Sequence, residues 1–499
     1  MSSLPVLEQE QYVDREDQVG LLRRAINYIR LSGPVFQTIY EWTGIPGIGK
    51  TVLVELLRDL CVEIGVPYAH IDFDPDHNPT ASRYATEPVL LIKGLFAQLG
   101  RQKAVELEQA VAYYQQLPSG DTYQRDMALD EVVRAFRRYV HQLLEKDPVV
   151  FLFDSTDQAS PIVLVWLEEY IVSLLSQNGR CLFVFVGRTP LHWRRFEVRR
   201  RVRTDKLMAF EPRLVRQQFE KDRKHPKLIV LSERVHRMTN GHPMGNAVVL
   251  RRLGELADAG KEINEETFST YEPELLDDLV HEVINGYVFQ GVREELANAC
   301  RAVALLRQFD VILLRRVLSE HVPDFKEYPR DAYGGLLGLL HTTHLVEWND
   351  ARKGYEIDPT LRRILGRHTR ERNPKLYVQI NQAALEVYRD WIERVEDNRS
   401  VYIIEELYHQ ACLGRTINSR ADLRIKLAEQ LRAHLNNHYT QGDPELLASA
   451  LERLDKGLER DEELWQDDVI GGGGVAYLRE IIAAHKKQVE QRANITKAG

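Results

Sequence analysis

The strongest constraint in this sequence is Gly44-Ile45-Pro46-Gly47-Ile48-Gly49-Lys50-Thr51, set between a β-branched, aromatic stretch at Val35 to Trp42 and an apolar, helically spaced one. The glycines let backbone N–H groups turn inward on an anion, Lys50 supplies a compact positive charge, and the Thr51 hydroxyl can meet a divalent cation. Val52, Leu53, Leu56, Leu57, Leu60, Cys61 and Ile64 share one helical face, so a helix starts at the loop and aims its positive end at the anion. A turn that binds nothing has no need of the Lys50-Thr51 pair. Strand, phosphate-cradling loop and helix in that order imply an α/β layer built on a parallel sheet.

Further strand signals lie at Tyr68 to Phe73, Val149 to Phe153 and Cys181 to Val186, the last two as continuous apolar runs expected of central strands. Ala85 to Lys146 reads as a long helical insertion, with segments at Val105 to Leu117 and Met127 to Leu144. Asp154 ends the third strand, where an ionised carboxylate needs a cation or a donor, which marks it with Thr51 as a metal ligand. Asp157 is the candidate to orient or deprotonate an attacking water; its alternative reading is a residue at the start of the next helix. Arg188 ends the following strand at the same rim, where a cation can read a γ- or β-phosphate.

From Glu211 onward strand signals nearly vanish. Leu214 to Lys221, Leu228 to Arg237 and Met244 to Ala257 make a small helical domain. Helices at Leu296 to Leu306, Val311 to Leu318 and Ala332 to Leu340, then strands at Leu345 to Trp348 and Tyr355 to Ile357, describe a winged helix. Leu376 to Val395, Val401 to Leu413, Ala421 to Leu435 and Glu445 to Leu458 suggest stacked, α-solenoid-like helices without a strict repeat. The run Gly471 to Gly474 reads as a flexible joint before a last helix, Val475 to Val489. The expected domains are therefore 12–210, 211–290, 291–372 and 373–499.

At 499 residues, with 44% apolar and 28% charged residues, the chain is globular and too long for one core. A net charge of -8 argues against a surface adapted throughout to nucleic acid. Cys61, Cys181, Cys300 and Cys412 are far apart and form no CxxC pair, which suits neither a disulfide framework nor zinc. With no apolar run of about 18 residues and no signal-like N-terminus, a cytoplasmic protein without a membrane partner is expected. One basic stretch, His192 to Arg203, mixes arginine with Trp193 and Phe196. Interrupted by Glu197 and followed by Asp205, it reads as a solvated or inter-subunit surface in preference to a nucleic-acid site.

Taken in order, these motifs resemble the STAND branch of P-loop ATPases, which includes apoptosome ATPases, NLR and NACHT proteins and bacterial signalling or antiphage ATPases. Tyr12-Val13-Asp14-Arg15-Glu16 is similar to the family's opening motif against adenine, with Asp14 where glycine is usual. Gly44 to Thr51 matches the phosphate loop, and Asp154-Ser155-Thr156-Asp157 is similar to a NACHT-like Walker B with a second acid at a spacing of three. Arg188 matches the sensor arginine, and Thr239-Asn240-Gly241-His242-Pro243 looks like the motif whose proline packs on the base.

The resemblance implies ATP or ADP with Mg²⁺ as cofactors, held by Val13, Arg15, Gly44, Pro46, Gly47, Ile48, Gly49, Lys50, Thr51, Val52 and Pro243. Thr51 and Asp154 would hold the metal, and Asp157, Lys50 and Arg188 would act on the phosphates. Ser155 stands where many rapid hydrolases carry Glu, so slow turnover is expected. A histidine that touches the β-phosphate in NLR-type winged helices falls near Asp358, which with Pro359 reads instead as a helix cap. A homo-oligomeric switch follows, with trigger or effector supplied in trans on the C-terminal helices. The rival is a winged-helix initiator or loader directed to nucleic acid, which would want adjacent Asp-Glu and a GxAR-like sensor in place of Asp154-Ser155 and Gly241-His242-Pro243.

Overall fold

The computed structural model describes residues 13, 15–100, 104–118, 120–414, 420–466 and 469–498, and the chain divides into two compact units, 1–288 and 289–499. Tyr12 and Asp14 of the opening motif lie outside the described residues.

The first unit is built on a parallel sheet of five strands, β1 (Ile39–Thr43), β2 (Tyr68–Asp72), β3 (Val149–Asp154), β4 (Cys181–Gly187) and β5 (Val202–Lys206), in the order β2-β3-β4-β1-β5. Parallel neighbours need long crossovers, and helices supply them, covering both faces. Every residue of β1, β3 and β4 is buried, as continuous apolar strands require. Aromatic rings run across the strands: Phe153 stacks on Phe185 at 4.9 Å and on Phe73 at 6.0 Å, and Phe151 on Phe183 at 5.3 Å. Register sets the rim. Asp72 pairs with Asp154, and Thr43 lies beside Gly187 on one side and Lys206 on the other. The carboxyl ends of all five strands thus converge.

β1 is shorter than the expected Val35 to Trp42, since the residues before Ile39 form the approach to the sheet. β5 has no counterpart among the strand signals of the sequence. It is an edge strand whose residues are all at least partly exposed, so Arg203, Thr204, Asp205 and Lys206 give none of the apolar pattern of a buried strand. Two charged residues do unexpected structural work beside it. Glu41, buried inside β1, accepts from Leu191 N–H (2.6 Å) and the Thr204 hydroxyl (2.7 Å). Glu168, also buried, accepts from the N–H groups of Arg194 and Arg195, each at 2.8–3.1 Å. Together they pin the connection from β4 to β5.

The second unit carries helices Glu294–Val303, Val311–His321 and Tyr333–Thr342, then an antiparallel hairpin of β6 (Val346–Asn349) and β7 (Gly354–Ile357). Asp358 caps the next helix through Thr360 N–H at 3.0 Å, with Pro359 in its first turn. Helices Pro374–Arg394, Arg399–Gly414, Arg420–His438, Pro444–Glu459 and Gly472–Ala498 follow, and Leu407, Leu427, Leu431, Leu451, Leu454 and Leu478 share their core. The glycine run is not a loose joint. Gly472–Gly474 open the last helix, and a Cβ on Gly474 would collide with Ile470 Cγ2, so glycine here permits close packing. No helix among the described residues is long and apolar enough to cross a membrane.

Buried charge joins the parts of this unit. Arg307, wholly buried, donates to Glu405 (2.9 and 3.0 Å) and to both oxygens of Asp461 (2.7 Å), under the Tyr408 ring at 4.1 Å. Glu463 accepts from Arg362 and, at 3.4 Å, from Arg352. Burial alone would raise the Glu463 carboxyl, but the guanidiniums of Arg362, Arg307 and Arg352 outweigh it and hold it below the ordinary range. A depressed folded-state value contributes stability above the unfolded value, near pH 4.3, and that contribution is lost as pH falls through the folded one. Glu463→Gln should therefore cost this unit about 3–5 kcal/mol at neutral pH, since it leaves the buried Arg362 guanidinium without its carboxylate. In denaturant titrations the gap between variant and parent should shrink below about pH 4; a gap independent of pH would contradict this account.

Candidate functional site

The glycine-rich loop joins β1 to the helix Lys50–Ile64, whose first turn faces the carboxyl rim of the sheet. Gly47 (φ +76°) and Gly49 (φ +94°) adopt left-handed conformations that let the backbone turn. Lys50 Nζ donates to the carbonyls of Gly44 (2.8 Å) and Ile45 (3.0 Å), folding over its own loop. Burial lowers its pKa to about 8, with Asp157 and Asp154 opposing the fall and Arg188 adding to it.

β3 delivers Asp154 to the same rim. Its Oδ1 accepts from Ser155 N–H at 2.7 Å, while Oδ2 is buried without a hydrogen-bond partner. Burial and then the neighbouring Asp72 push its pKa up to about 6, against the Ser155 N–H, the Thr51 hydroxyl and the Lys50 charge. With no donor within hydrogen-bond distance, Oδ2 is an under-satisfied acceptor, although the Thr51 hydroxyl is close enough to stabilise the charged form. Its place beside Thr51 suits an oxygen-seeking divalent cation.

Asp157 and Arg188 come together as a pair. Arg188 Nε lies 3.1 Å from Asp157 Oδ2, and Arg188 N–H donates to Oδ1 at 2.9 Å. The carboxylate expected to face a water is thus already held on both oxygens. Ser155 turns the chain between the two acids in a left-handed conformation (φ +54°), one of three such non-glycine residues around the loop with Arg15 (+87°) and Asn240 (+51°). Such strain persists where surrounding structure enforces it.

The loop is also gripped from outside. His242 Nε2 donates to Pro46 O (3.0 Å) and Nδ1 accepts from Gly245 N–H (3.1 Å), which fixes a neutral ring with its proton on Nε2. Met244 N–H reaches Gly47 O at 3.3 Å, and a Cβ on Gly47 would come within 2.6 Å of the imidazole. Pro243, buried, opens the helix Pro243–Asp258 behind this contact. Arg15, also buried, donates to Ile48 O (2.5 Å) and lies 5.6 Å from the Phe210 ring. Val13 is buried and Val52 half-buried.

Several of these residues give no clear sequence signal. His242 is visible there only as the neighbour of Pro243. Tyr287, in a π-helical stretch at Val280–Val288, senses the charges of Arg188, Asp154 and Asp157, and burial raises its hydroxyl pKa. Nothing in its local sequence marks it. Among the described residues no group of three or more His, Cys, Asp and Glu is arranged to hold a metal by itself.

No protein-family model matches this sequence, and no curated protein does. Among solved structures it is similar to Aeropyrum pernix Orc1 in complex with DNA, at 15% identity over 74% of this chain and 96% of that one, with a TM-score of 0.37. The Thermotoga maritima RuvB Holliday junction branch migration motor matches at 13% identity, over 71% and 97% of the two chains, with a TM-score of 0.34. A Pyrococcus horikoshii signal transduction ATPase with a tetratricopeptide repeat sensor matches at 12% identity, over 98% and 67%, with a TM-score of 0.30. At such identities and TM-scores the likeness assigns neither activity nor partners to this chain.

His242→Ala removes the cap on Gly245 and the bond to Pro46 together. Denaturant unfolding of the first unit should show a loss of about 1–2 kcal/mol. Unchanged stability would mean that this contact holds nothing.

Proposed function

We propose that this chain is a P-loop ATPase that binds ATP or ADP with Mg²⁺ and works as a slow, nucleotide-dependent switch. One observation carries the reading: Lys50, the unmet oxygen of Asp154 and the Arg188–Asp157 pair all stand at the rim where the glycine loop opens. Lys50 would leave the Gly44 and Ile45 carbonyls for phosphate oxygens, while loop N–H groups cradle the rest. Thr51 and Asp154 would hold Mg²⁺, which when bound neutralises phosphate charge. Arg15, Val13 and Pro243 would border the base.

The Arg188–Asp157 pair supports slow turnover. Asp157 can accept a proton from water only after Arg188 has turned to a phosphate oxygen, so sensing and activation compete for one ion pair. On this reading 291–372 is a winged helix and 373–499 an α-solenoid-like region. The STAND resemblance then favours a homo-oligomer whose trigger or effector docks in trans on the C-terminal helices, in signalling of the bacterial conflict or antiphage type.

Lys50→Ala should weaken binding of a fluorescent ATP or ADP analogue by more than about tenfold. Phosphate release should fall about 10²-fold in Asp157→Asn, which keeps the fold but loses the base. Undiminished nucleotide affinity in the first variant would remove the proposal's foundation. Light scattering with ATP and Mg²⁺ tests the switch, and a strict monomer even with the genuine trigger present would overturn assembly.

A further inference from the structure

The later part of the basic stretch, Arg199 to Val202, lies at the end of the sheet opposite the phosphate loop, whereas its start, His192 to Arg194, lines a pocket with Thr156 and Asp157. Ile39 N–H, at the start of β1, donates to Arg201 O at 3.2 Å, whereas Lys206, at the far end of β5, lies beside Thr43. Six arginines fall within residues 194–203 against one carboxylate, Glu197, in a chain whose net charge is -8. Charge of the opposite sign is thus concentrated in one short segment of the chain.

The area is also aromatic. Phe36 and Phe196 are 52% and 63% exposed, unusually open for phenylalanine. The Arg200 guanidinium stands 5.0 Å from the Phe36 ring and 5.9 Å from that of Phe196, and Arg201 stands 5.1 Å from Phe36. Arg201 also donates to Phe36 O at 3.1 Å, fixing that ring's approach to the sheet. Arg195 and Arg203 are neutralised by Glu169 and Asp205. Arg199 and Arg200 are exposed, and among the described residues no carboxylate pairs with either.

We propose that this face binds single-stranded nucleic acid, with Arg199 and Arg200 meeting phosphates and the Phe36 and Phe196 rings receiving bases. Unpaired cations answer a polyanion, and open rings answer unstacked bases, which together favour a single strand. An acidic protein surface would satisfy the arginines but offer nothing to stack on two rings that are more than half exposed. A duplex would keep its bases stacked away from them. The face lies away from the phosphate loop, so occupancy here does not require the nucleotide site.

Fluorescence anisotropy of a labelled oligo(dT) of about 20 nucleotides, longer than one such site needs, tests this with the full chain. Binding is expected at low salt, about 50 mM, weaker for the matching duplex, and unchanged in Lys50→Ala, so failure here and failure of the ATPase reading are separable. Arg199→Gln with Arg200→Gln should reduce the slope of log affinity against log salt by about 1.4, at roughly 0.7 per phosphate. Phe36→Ala with Phe196→Ala should weaken binding on the order of tenfold and leave the slope unchanged. Far-ultraviolet circular dichroism and thermal melts establish that both variants fold. No binding at low salt, equal binding of duplex, or indifference to the phenylalanine changes would overturn the proposal. Self-association of the parent that disappears in the arginine variant would assign the face to a second copy instead.

Discussion

The bond from His242 to the Pro46 carbonyl joins residues 196 positions apart, and the conformation of the phosphate loop depends on it. A glycine-rich loop has many conformations open to it, and left alone it loses more entropy on ordering than any other kind of segment. Here its outer carbonyls are taken by His242 and by Met244 N–H, and its inner ones by Lys50. The loop is shaped before any phosphate reaches it. The same histidine caps the helix Pro243–Asp258, so a shift in the loop is a shift at the start of that helix.

Opposite the loop, two acids three residues apart have been given different circumstances. Asp154 ends a buried strand with one oxygen unmet and a second carboxylate, Asp72, alongside; its proton affinity rises accordingly. Asp157 has both oxygens engaged by Arg188. The left-handed turn at Ser155 separates the two environments. Chemistry that needs one acid free for metal and another free for water finds only the first in this arrangement.

What the sequence makes legible follows from how strongly each feature departs from a solvated chain. The loop, β3 and β4 are readable because continuous apolar runs and clustered glycines before a Lys-Thr pair occur in few other settings. β5 is not, since Val202 to Lys206 is an edge strand with polar side chains. Glu41 and Glu168 escape notice for the converse reason. Charged residues read as surface, yet each is buried and holds backbone N–H groups of the β4–β5 connection. The Gly471 to Gly474 run misleads because glycine signals freedom as readily as close packing, and only the nearness of Ile470 separates the two. Asp157 is visible as a residue, but its bond to Arg188 lies across 31 positions that no local pattern reports.

The buried ionic cluster of the second unit has a kinetic consequence. Arg307 and Asp461 are 154 residues apart, and Arg362 and Glu463 are 101 apart. Closing loops of that length costs chain entropy that the contact must repay, which favours pairing after the intervening helices have formed. Pairs that close late are absent from the transition state, and such pairs slow unfolding more than they speed folding. On that order of events the cluster would act as a brake on opening, lengthening the life of the folded unit beyond what its equilibrium stability alone would set.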